Sequence, residues 1–145
     1  MSHTHEDCFF PVQRIIFALD KARHLLTVEM DVALAGTGVS SSYVGALLLL
    51  SPGIACSSAG LSKLLGINSG FVTRMVDRLE MRGFVRRERN RSDRRVVNLT
   101  LTEAGRNLAA RIAEIAPAVL NRRLSGFTSR EFATLCRLLG RLQDE

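Results

Sequence analysis

The residues in this sequence that are best suited to chemistry are arginines, and they are concentrated in one short stretch. Nine arginines lie between Arg74 and Arg95 among four acidic residues, so this segment carries +5 of the net charge of +6 of the 145-residue chain. A guanidinium group pairs with phosphate through two hydrogen bonds and also recognises guanine edges. This concentration predicts a surface that binds a polyanion; a solvated basic face without a partner is the alternative.

Other reactive groups are sparse and poorly arranged for catalysis. Cys8, Cys56 and Cys136 are widely separated and form no Cys-x-x-Cys pair, which argues against a disulfide framework and a zinc site. His3 and His5 precede Cys8 in a segment that reads as a tail, which would not pre-organise a metal site. The sequence lacks a phosphate-binding loop, a Gly-x-Ser-x-Gly motif and a His-Glu-x-x-His motif. We therefore expect no enzyme activity, no metal and no cofactor.

Composition and hydropathy predict one globular domain. Apolar residues make up 46% of the chain and charged residues 23%, as in ordinary folded proteins. The longest apolar runs, such as Ala46–Leu50, are far shorter than the roughly 18 residues of a membrane span. The first residues lack the basic-then-apolar order of a secretory signal. We expect a cytoplasmic protein that has no membrane partner.

Apolar periodicity predicts three helices before the arginine-rich stretch. The first extends from Val12 to about Ala35. The second contains Ala46–Leu50 and is capped by a serine at position 40, 41 or 42. The third begins at Ser57 or Ser58 and stops at Gly66, which suits the position just past a helix end.

A fourth helix should carry the first arginines. Asn68 is a good N-cap for a helix from Ser69 to Arg82, and Gly83 suits the residue after its end. One face of this helix is apolar, and another presents arginines spaced four apart, at positions 74, 78 and 82. Two helices joined by the three-residue turn at 66–68 are typical of a helix-turn-helix.

A basic hairpin follows this helix. Phe84–Arg89 is strand-like, and in a second strand Val97, Leu99 and Leu101 alternate with the residues at 96, 98 and 100. The loop Asn90–Arg95 between them is too charged to be buried. A hairpin placed directly after a helix-turn-helix forms a wing. Thr102 then caps a long helix in which Pro117 predicts a kink, and a last helix begins at about Ser129.

The terminal helices carry more apolar surface than a small monomer can easily bury. Their heptad-like stripes suggest a partner subunit, and packing of the first and last helices within one chain is the alternative.

Two stretches resemble the MarR family of bacterial winged helix-turn-helix transcriptional regulators. The first is Leu61–Arg87, and the second is Ser92–Gly105, which follows the D-x-R … L-T-x-x-G pattern of the wing in that family. The resemblance implies a mainly α fold with a small β-hairpin, in which residues 1–145 form a single domain. Residues 12–36 and 103–145 would form dimerisation helices, and residues 40–101 the winged-helix DNA-binding region.

The resemblance further implies a homodimer on a pseudo-palindromic operator in double-stranded DNA, with each recognition helix in a major groove and each wing in a minor groove. Most such proteins are repressors that a small aromatic or phenolic ligand, or an oxidant, releases from DNA. A winged-helix module that binds another protein through its apolar helices is the remaining alternative.

The residues expected to contact DNA lie at the front of the fourth helix and in the wing loop. Arg74 is the best candidate for a guanine contact, and Thr73 for a phosphate or a thymine methyl group. By resemblance, Arg95 enters the minor groove and Asp93 orients it through a salt bridge. Gly70 and Phe71 stand where the family usually has a small polar residue. The full set is Ser69, Gly70, Phe71, Thr73, Arg74, Arg78, Arg91, Asp93, Arg94 and Arg95.

Candidate sensor residues are fewer. By resemblance, Arg14, Phe17, His24 and Tyr43 would line an effector cavity between the dimerisation helices and the winged domain. A redox-sensing branch of the family has a cysteine directly before a Phe-Ala-Leu run, but Ile16 precedes that run here. The redox alternative therefore depends on Cys8, in the expected tail, whereas Cys56 and Cys136 are expected to be small buried hydrophobic residues.

Overall fold

The computed structural model describes residues 6–54 and 57–143, and it is mainly helical with one small hairpin, as the sequence predicts. The elements are α1 (Glu6–Ala33), a 3₁₀ helix (Ser41–Tyr43), α2 (Val44–Leu50), α3 (Ser58–Leu65), α4 (Ser69–Met81), β1 (Val85–Arg89), β2 (Val97–Leu101), α5 (Glu103–Leu124) and α6 (Ser129–Arg141). The hairpin strands are antiparallel, with Val85 opposite Leu101 and Arg89 opposite Val97.

The helix-turn-helix forms where its capping residues predict. Ser57 Oγ accepts the Gly60 amide at the start of α3, and Gly66 ends that helix in the left-handed region at φ +64°. Asn68 Oδ1 accepts the Gly70 amide at 2.7 Å at the start of α4. Gly83 follows α4 with φ +79°. These interactions are local, so the residue types near each helix end are sufficient to define the turn between α3 and α4.

The start of α2 corrects the expectation of a serine cap. Neither the 3₁₀ helix nor α2 has a side-chain cap from its own N-cap residue, and Ser40 Oγ lies 2.7 Å from Ser42 Oγ. Asp31 of α1 instead accepts the Ser41 amide through Oδ1 at 2.6 Å. A carboxylate forms a stronger, charge-assisted hydrogen bond to an amide than a hydroxyl does. The first long helix therefore holds the start of α2 in place.

The core lies inside the winged-helix region and against α5, whose buried residues extend from Gly105 to Val119. The four residues predicted to form the apolar stripe of α4, at positions 72, 75, 76 and 79, are all buried. The largest fully buried side chains are Leu34, Leu47, Leu61, Val72, Val76, Leu79, Val85, Ile112 and Val119. This core fixes the position of α4 relative to the hairpin.

The terminal helices leave their apolar faces exposed in the single chain. On α1, Val12, Ile15, Ile16 and Phe17 are each more than half exposed. No described residue of α6 is buried, and Phe132 and Leu142 are exposed. None of the described helices has a long enough apolar stretch to cross a membrane.

Three expectations for the terminal helices need correction or refinement. Helix α1 begins at Glu6 and continues through Pro11, so Cys8 lies within a helix and not in a tail. Cys136 is exposed, because it lies on α6, which has little of the chain packed over it. Cys56 lies outside the described residues. Helix α5 continues from Glu103 to Leu124 through Pro117.

Candidate nucleic-acid interface

The exposed surface of α4 separates its charges onto two flanks. Residues three and four apart share one face of a helix. Arg74 and Arg78 both line a cleft beside the start of α2, whereas Asp77 and Glu80 lie on the flank that faces β1, where they meet Arg87. The apolar stripe of the same helix faces the core, so both charged pairs lie on the side of the helix that faces solvent. The basic flank is the part of α4 that suits a polyanion.

The basic flank borders a small cleft next to the start of α2. Ser42, Tyr43 and Phe71 line this cleft of about 130 Å³ together with the two arginines and Met75. Phe71 is 45% exposed, so its ring is available for apolar contact with a ligand or a base edge. A Cβ atom at Gly70 would lie 3.0 Å from Asn68 Oδ1, so even the smallest side chain would crowd the N-cap.

Two of the predicted polar residues on α4 have contacts of their own. Thr73 Oγ1 donates to the Ser69 carbonyl at 2.9 Å, which leaves the hydroxyl lone pairs to accept a hydrogen bond. Arg82, which the sequence grouped with the other arginines of α4, places its guanidinium carbon 5.6 Å from the centroid of the Phe84 ring. Its Nη2 would lie 2.8 Å from a Cβ atom at Gly38. Arg82 therefore packs on its own fold, away from the basic flank.

The wing tip (Asn90–Arg95) is a loop shaped by two side chains. Asn90 Oδ1 accepts the amides of Ser92 at 2.8 Å and Asp93 at 3.3 Å. The Asn90 amide donates to the Val96 carbonyl at 2.8 Å and so closes the loop. Asparagine commonly holds a turn in this way, through its own side chain. The tip therefore has a defined shape although all of its residues except Asn90 are exposed.

The predicted pair of Asp93 and Arg95 is found, but its main contact is to the backbone. Asp93 Oδ1 accepts the Arg95 amide at 3.0 Å, whereas the distance from the same oxygen to Arg95 Nε is 4.0 Å. The Arg95 side chain is 95% exposed. Asp93 thus fixes the backbone from which Arg95 projects, and the guanidinium itself extends into solvent beside the exposed side chains of Arg91 and Arg94.

Sequence reasoning missed one contact, because it counted Arg87 only as part of the basic cluster. Arg87 Nη2 lies 2.6 Å from Asp77 Oδ1, and Nη1 lies 3.0 Å from Glu80 Oε1. The Arg87 amide also donates to Glu80 Oε2 at 3.1 Å. We call Arg87, Asp77 and Glu80 the wing brace. The only signal in the sequence is a pair of acids three apart in an otherwise basic helix.

The electrostatics of the wing brace favour a fully charged pairing. Partial burial acts to lower the pKa of Arg87, but the hydrogen bonds and charges of Asp77 and Glu80 outweigh it, so the pKa is raised above its ordinary value. The Arg87 side chain is 27% exposed, far less than that of Arg95. Although Arg87 belongs to the basic stretch, its guanidinium is therefore occupied by the ion pairs with Asp77 and Glu80.

The predicted effector residues are not brought into one cavity within a single chain. Tyr43 lines the cleft beside α4. Arg14 lies in an open groove on α1 with Pro11, Ile15 and Ala18. Phe17 and His24 are exposed on the same long helix. The shared cavity that the sequence predicts stays a prediction that requires a second subunit.

An ion pair joins α1 to α5 beside the exposed apolar faces. Glu29 Oε1 pairs with Arg123 Nη2, and Glu29 Oε2 is buried without a hydrogen-bond partner among the described residues. The hydrogen bond from Arg123 lowers the pKa of Glu29 below its ordinary value, against the opposing effect of desolvation. The pair therefore links α1 to α5.

Comparison with known proteins agrees with this architecture. The model of the MarR family matches residues 41–97. The HTH-type transcriptional regulator PecS of Dickeya dadantii is 40% identical over 91 residues, which cover 61% of this chain and about half, 54%, of PecS.

Two solved structures share the fold over most of their length. CouR from Rhodococcus jostii RHA1, solved with p-coumaroyl-CoA bound, is 25% identical with a TM-score of 0.81 and covers 89% of this chain and 91% of its own. A mutant of MarR from Escherichia coli, solved in complex with operator DNA, is 24% identical with a TM-score of 0.77. The match covers 97% of this chain and 99% of the MarR chain. The family match, the similarity to PecS and the shared fold lead to one conclusion: the chain is similar to the MarR family of transcriptional regulators, with the family match lying in its winged-helix region.

Proposed function

We propose that this chain acts as a homodimer that binds a pseudo-palindromic operator in double-stranded DNA. The observation that carries the proposal is the presence of two exposed cationic features on one packed core. One is the basic flank of α4, with Arg74 and Arg78. The other is the wing tip, with Arg91, Arg94 and Arg95. A winged helix presents such features to a major groove and to the adjacent minor groove of one duplex.

In this proposal the front of α4 recognises the base sequence. Arg74 pairs with guanine, and Thr73 contacts a thymine methyl group or, when its hydroxyl turns away from the Ser69 carbonyl, donates to a phosphate. Phe71 offers apolar contact at the same depth, and its exposure supports that role. Ser69, Gly70 and Arg78 complete the contact surface on the helix.

The wing supplies a contact that depends on groove shape. Arg95 projects from a backbone that Asp93 holds, so its guanidinium reaches into the minor groove. A narrow minor groove concentrates negative potential and attracts such a group without recognising a base pattern. Arg91 and Arg94, beside it, would hold the flanking phosphates.

Dimerisation would cover the apolar faces that a single chain leaves exposed. Residues 12–36 and 103–145 would pack against the same residues of a second copy, and residues 40–101 would form the DNA-binding region. The exposed apolar side chains of α1 and α6 support this arrangement. Two recognition helices related by a two-fold axis would then meet half-sites roughly 34–36 Å apart, one turn of DNA.

The finer proposal is that the protein represses transcription until a small aromatic or phenolic ligand binds. CouR, which shares the fold, was solved with p-coumaroyl-CoA bound. In this chain Arg14, Phe17, His24 and Tyr43 supply the aromatic and polar groups that such a ligand needs, once a second subunit brings them together.

A titration of DNA binding tests the proposal. Binding to the region upstream of the gene should be specific and should weaken with salt, with a log–log slope of about −0.9 for each phosphate neutralised. Arg95→Ala should reduce affinity clearly while the variant stays dimeric and folded. Arg111→Ala, which removes an exposed arginine from α5, is the charge-matched control and should bind as the parent does. An Arg95→Ala protein that binds as tightly as the parent would refute the role of the wing.

A further inference from the structure

Three side chains of the wing strands, Val85, Leu99 and Leu101, are buried in the core, and polar contacts attach the wing at two further places. At its base, the Thr102 amide donates to the Phe84 carbonyl at 3.0 Å, and Thr102 Oγ1 donates to the Gly83 carbonyl at 2.5 Å. The second attachment is the wing brace, which joins the middle of β1 to α4 through three hydrogen bonds from Arg87. A two-stranded hairpin is marginally stable by itself, so its direction depends on the core packing at its base and on these polar contacts.

The geometry of the brace suits a rigid joint. The two Nη atoms of Arg87 each meet a different carboxylate, and Glu80 also holds the Arg87 backbone amide. A planar guanidinium held at two points keeps one orientation, unlike an ammonium group. Both acids project from the same flank of α4, so the joint fixes β1 against one side of that helix.

The two acids of the wing brace lie where negative charge is unfavourable for DNA binding. Asp77 and Glu80 are each about half exposed on the helix that is proposed to enter the major groove. Carboxylates near DNA phosphates weaken binding through repulsion. Their position on α4 is explained if they hold the wing, because their ion pairs with Arg87 offset part of the negative charge and attach β1 to α4.

We propose that Arg87 is a positioning residue for DNA binding. Together with Asp77 and Glu80, it holds the wing tip at a fixed distance and angle from α4, so that Arg74 and Arg95 engage one duplex at the same time. Arg87 itself does not contact DNA, because its Nη donors are engaged and its side chain is mostly covered. This inference rests on the proposed DNA-binding function.

Removal of an acid gives opposite results under the two explanations. Asp77→Ala removes one negative charge, so charge alone predicts tighter binding to the operator. The brace predicts weaker binding by about threefold to tenfold, the range in which residues outside a contact surface change the coupling between sites. Glu88→Ala is the matched control, since Glu88 of β1 meets only the exposed Arg86, at 3.8 Å, among the described residues. This control should bind as tightly as the parent, or more tightly.

A double-mutant cycle tests whether the brace acts through the wing. In an Arg95→Ala background, Asp77→Ala should have little further effect, because the contact that the brace positions is already absent. A general loss of stability would instead lower affinity equally in both backgrounds. Full additivity, or an Asp77→Ala protein that binds at least as tightly as the parent, would overturn the inference.

A measurement without DNA keeps this inference separate from the proposed function. Backbone ¹⁵N relaxation should show lower order parameters for residues 90–95 in Asp77→Ala than in the parent or in Glu88→Ala. If the parent does not bind DNA but the wing loosens as expected, the DNA-binding proposal fails and the brace stands. If the wing tip is equally ordered in all three proteins, the brace is refuted whatever the DNA result. Asp77→Asn, a smaller change, replaces Asp77→Ala if the latter does not fold.

Discussion

A substitution at Gly105 should show how closely the wing base is packed against α5. Gly105 lies in the first turns of α5 and is buried. A Cβ atom there would lie 2.0 Å from the Phe84 carbonyl oxygen and 2.9 Å from its carbon. Favourable contacts between non-bonded heavy atoms lie near 3.5–4.0 Å, so the backbone would have to separate by more than about 1 Å. We therefore predict that Gly105→Ala destabilises the fold.

The magnitude follows from three opposing effects. Alanine is favoured over glycine inside a helix by about 1 kcal/mol. Overpacking against a backbone atom costs about 1–3 kcal/mol. Separation would also strain the hydrogen bond from the Thr102 amide to the same Phe84 carbonyl, which is worth about 1 kcal/mol. The repulsive effects are larger, and the net loss in the free energy of unfolding should be about 1–3 kcal/mol.

Urea denaturation measures this change, and all proteins are compared at one protein concentration so that the conditions for association are the same. Gly140→Ala is the matched control. Gly140 also lies in a helix, α6, but no described atom lies within 4 Å of an added Cβ atom. The control should be neutral or stabilised by up to about 1 kcal/mol. A Gly105→Ala protein as stable as the parent would show that the approach of Phe84 to α5 is not required.

Three further predictions concern caps and ionisation. Asn68→Ala should lower the free energy of unfolding by about 1 kcal/mol through loss of the cap of α4, and Asn68→Asp should retain it; equal melting temperatures for all three proteins would contradict this. Asp31→Ala should lower the free energy of unfolding by about 1–2 kcal/mol because the Ser41 amide loses its acceptor. An unchanged free energy of unfolding in a urea titration would contradict this. The lowered pKa of Glu29 means that its pairing with Arg123 stabilises the fold above pH about 4.5 and that this contribution is lost as pH falls through the lower, folded pKa. Glu29→Gln should therefore lose less stability than the parent on acidification. If the free energy of unfolding falls equally with pH in both proteins, this role of Glu29 is refuted.

The sequence alone determined the features that depend on neighbours along the chain. Gly66, Asn68 and Gly83 end and begin their helices through contacts within a few residues, so the type of residue was sufficient to predict the turn. The alternation of Val97, Leu99 and Leu101 likewise predicted the second strand, in which Leu99 and Leu101 are buried and Val97, near the wing tip, is exposed. These local rules also placed the basic wing directly after α4.

Tertiary structure decided which charged groups meet. The sequence gives no means of knowing that Asp31 would supply the cap for Ser41, ten residues away, or that Arg87 would turn from the basic cluster towards Asp77 and Glu80. It also suggested burial for Cys136, which the single chain leaves exposed. An ion pair depends on the distance between groups in space, and that distance is set by how helices and strands pack, which no local pattern of residues encodes.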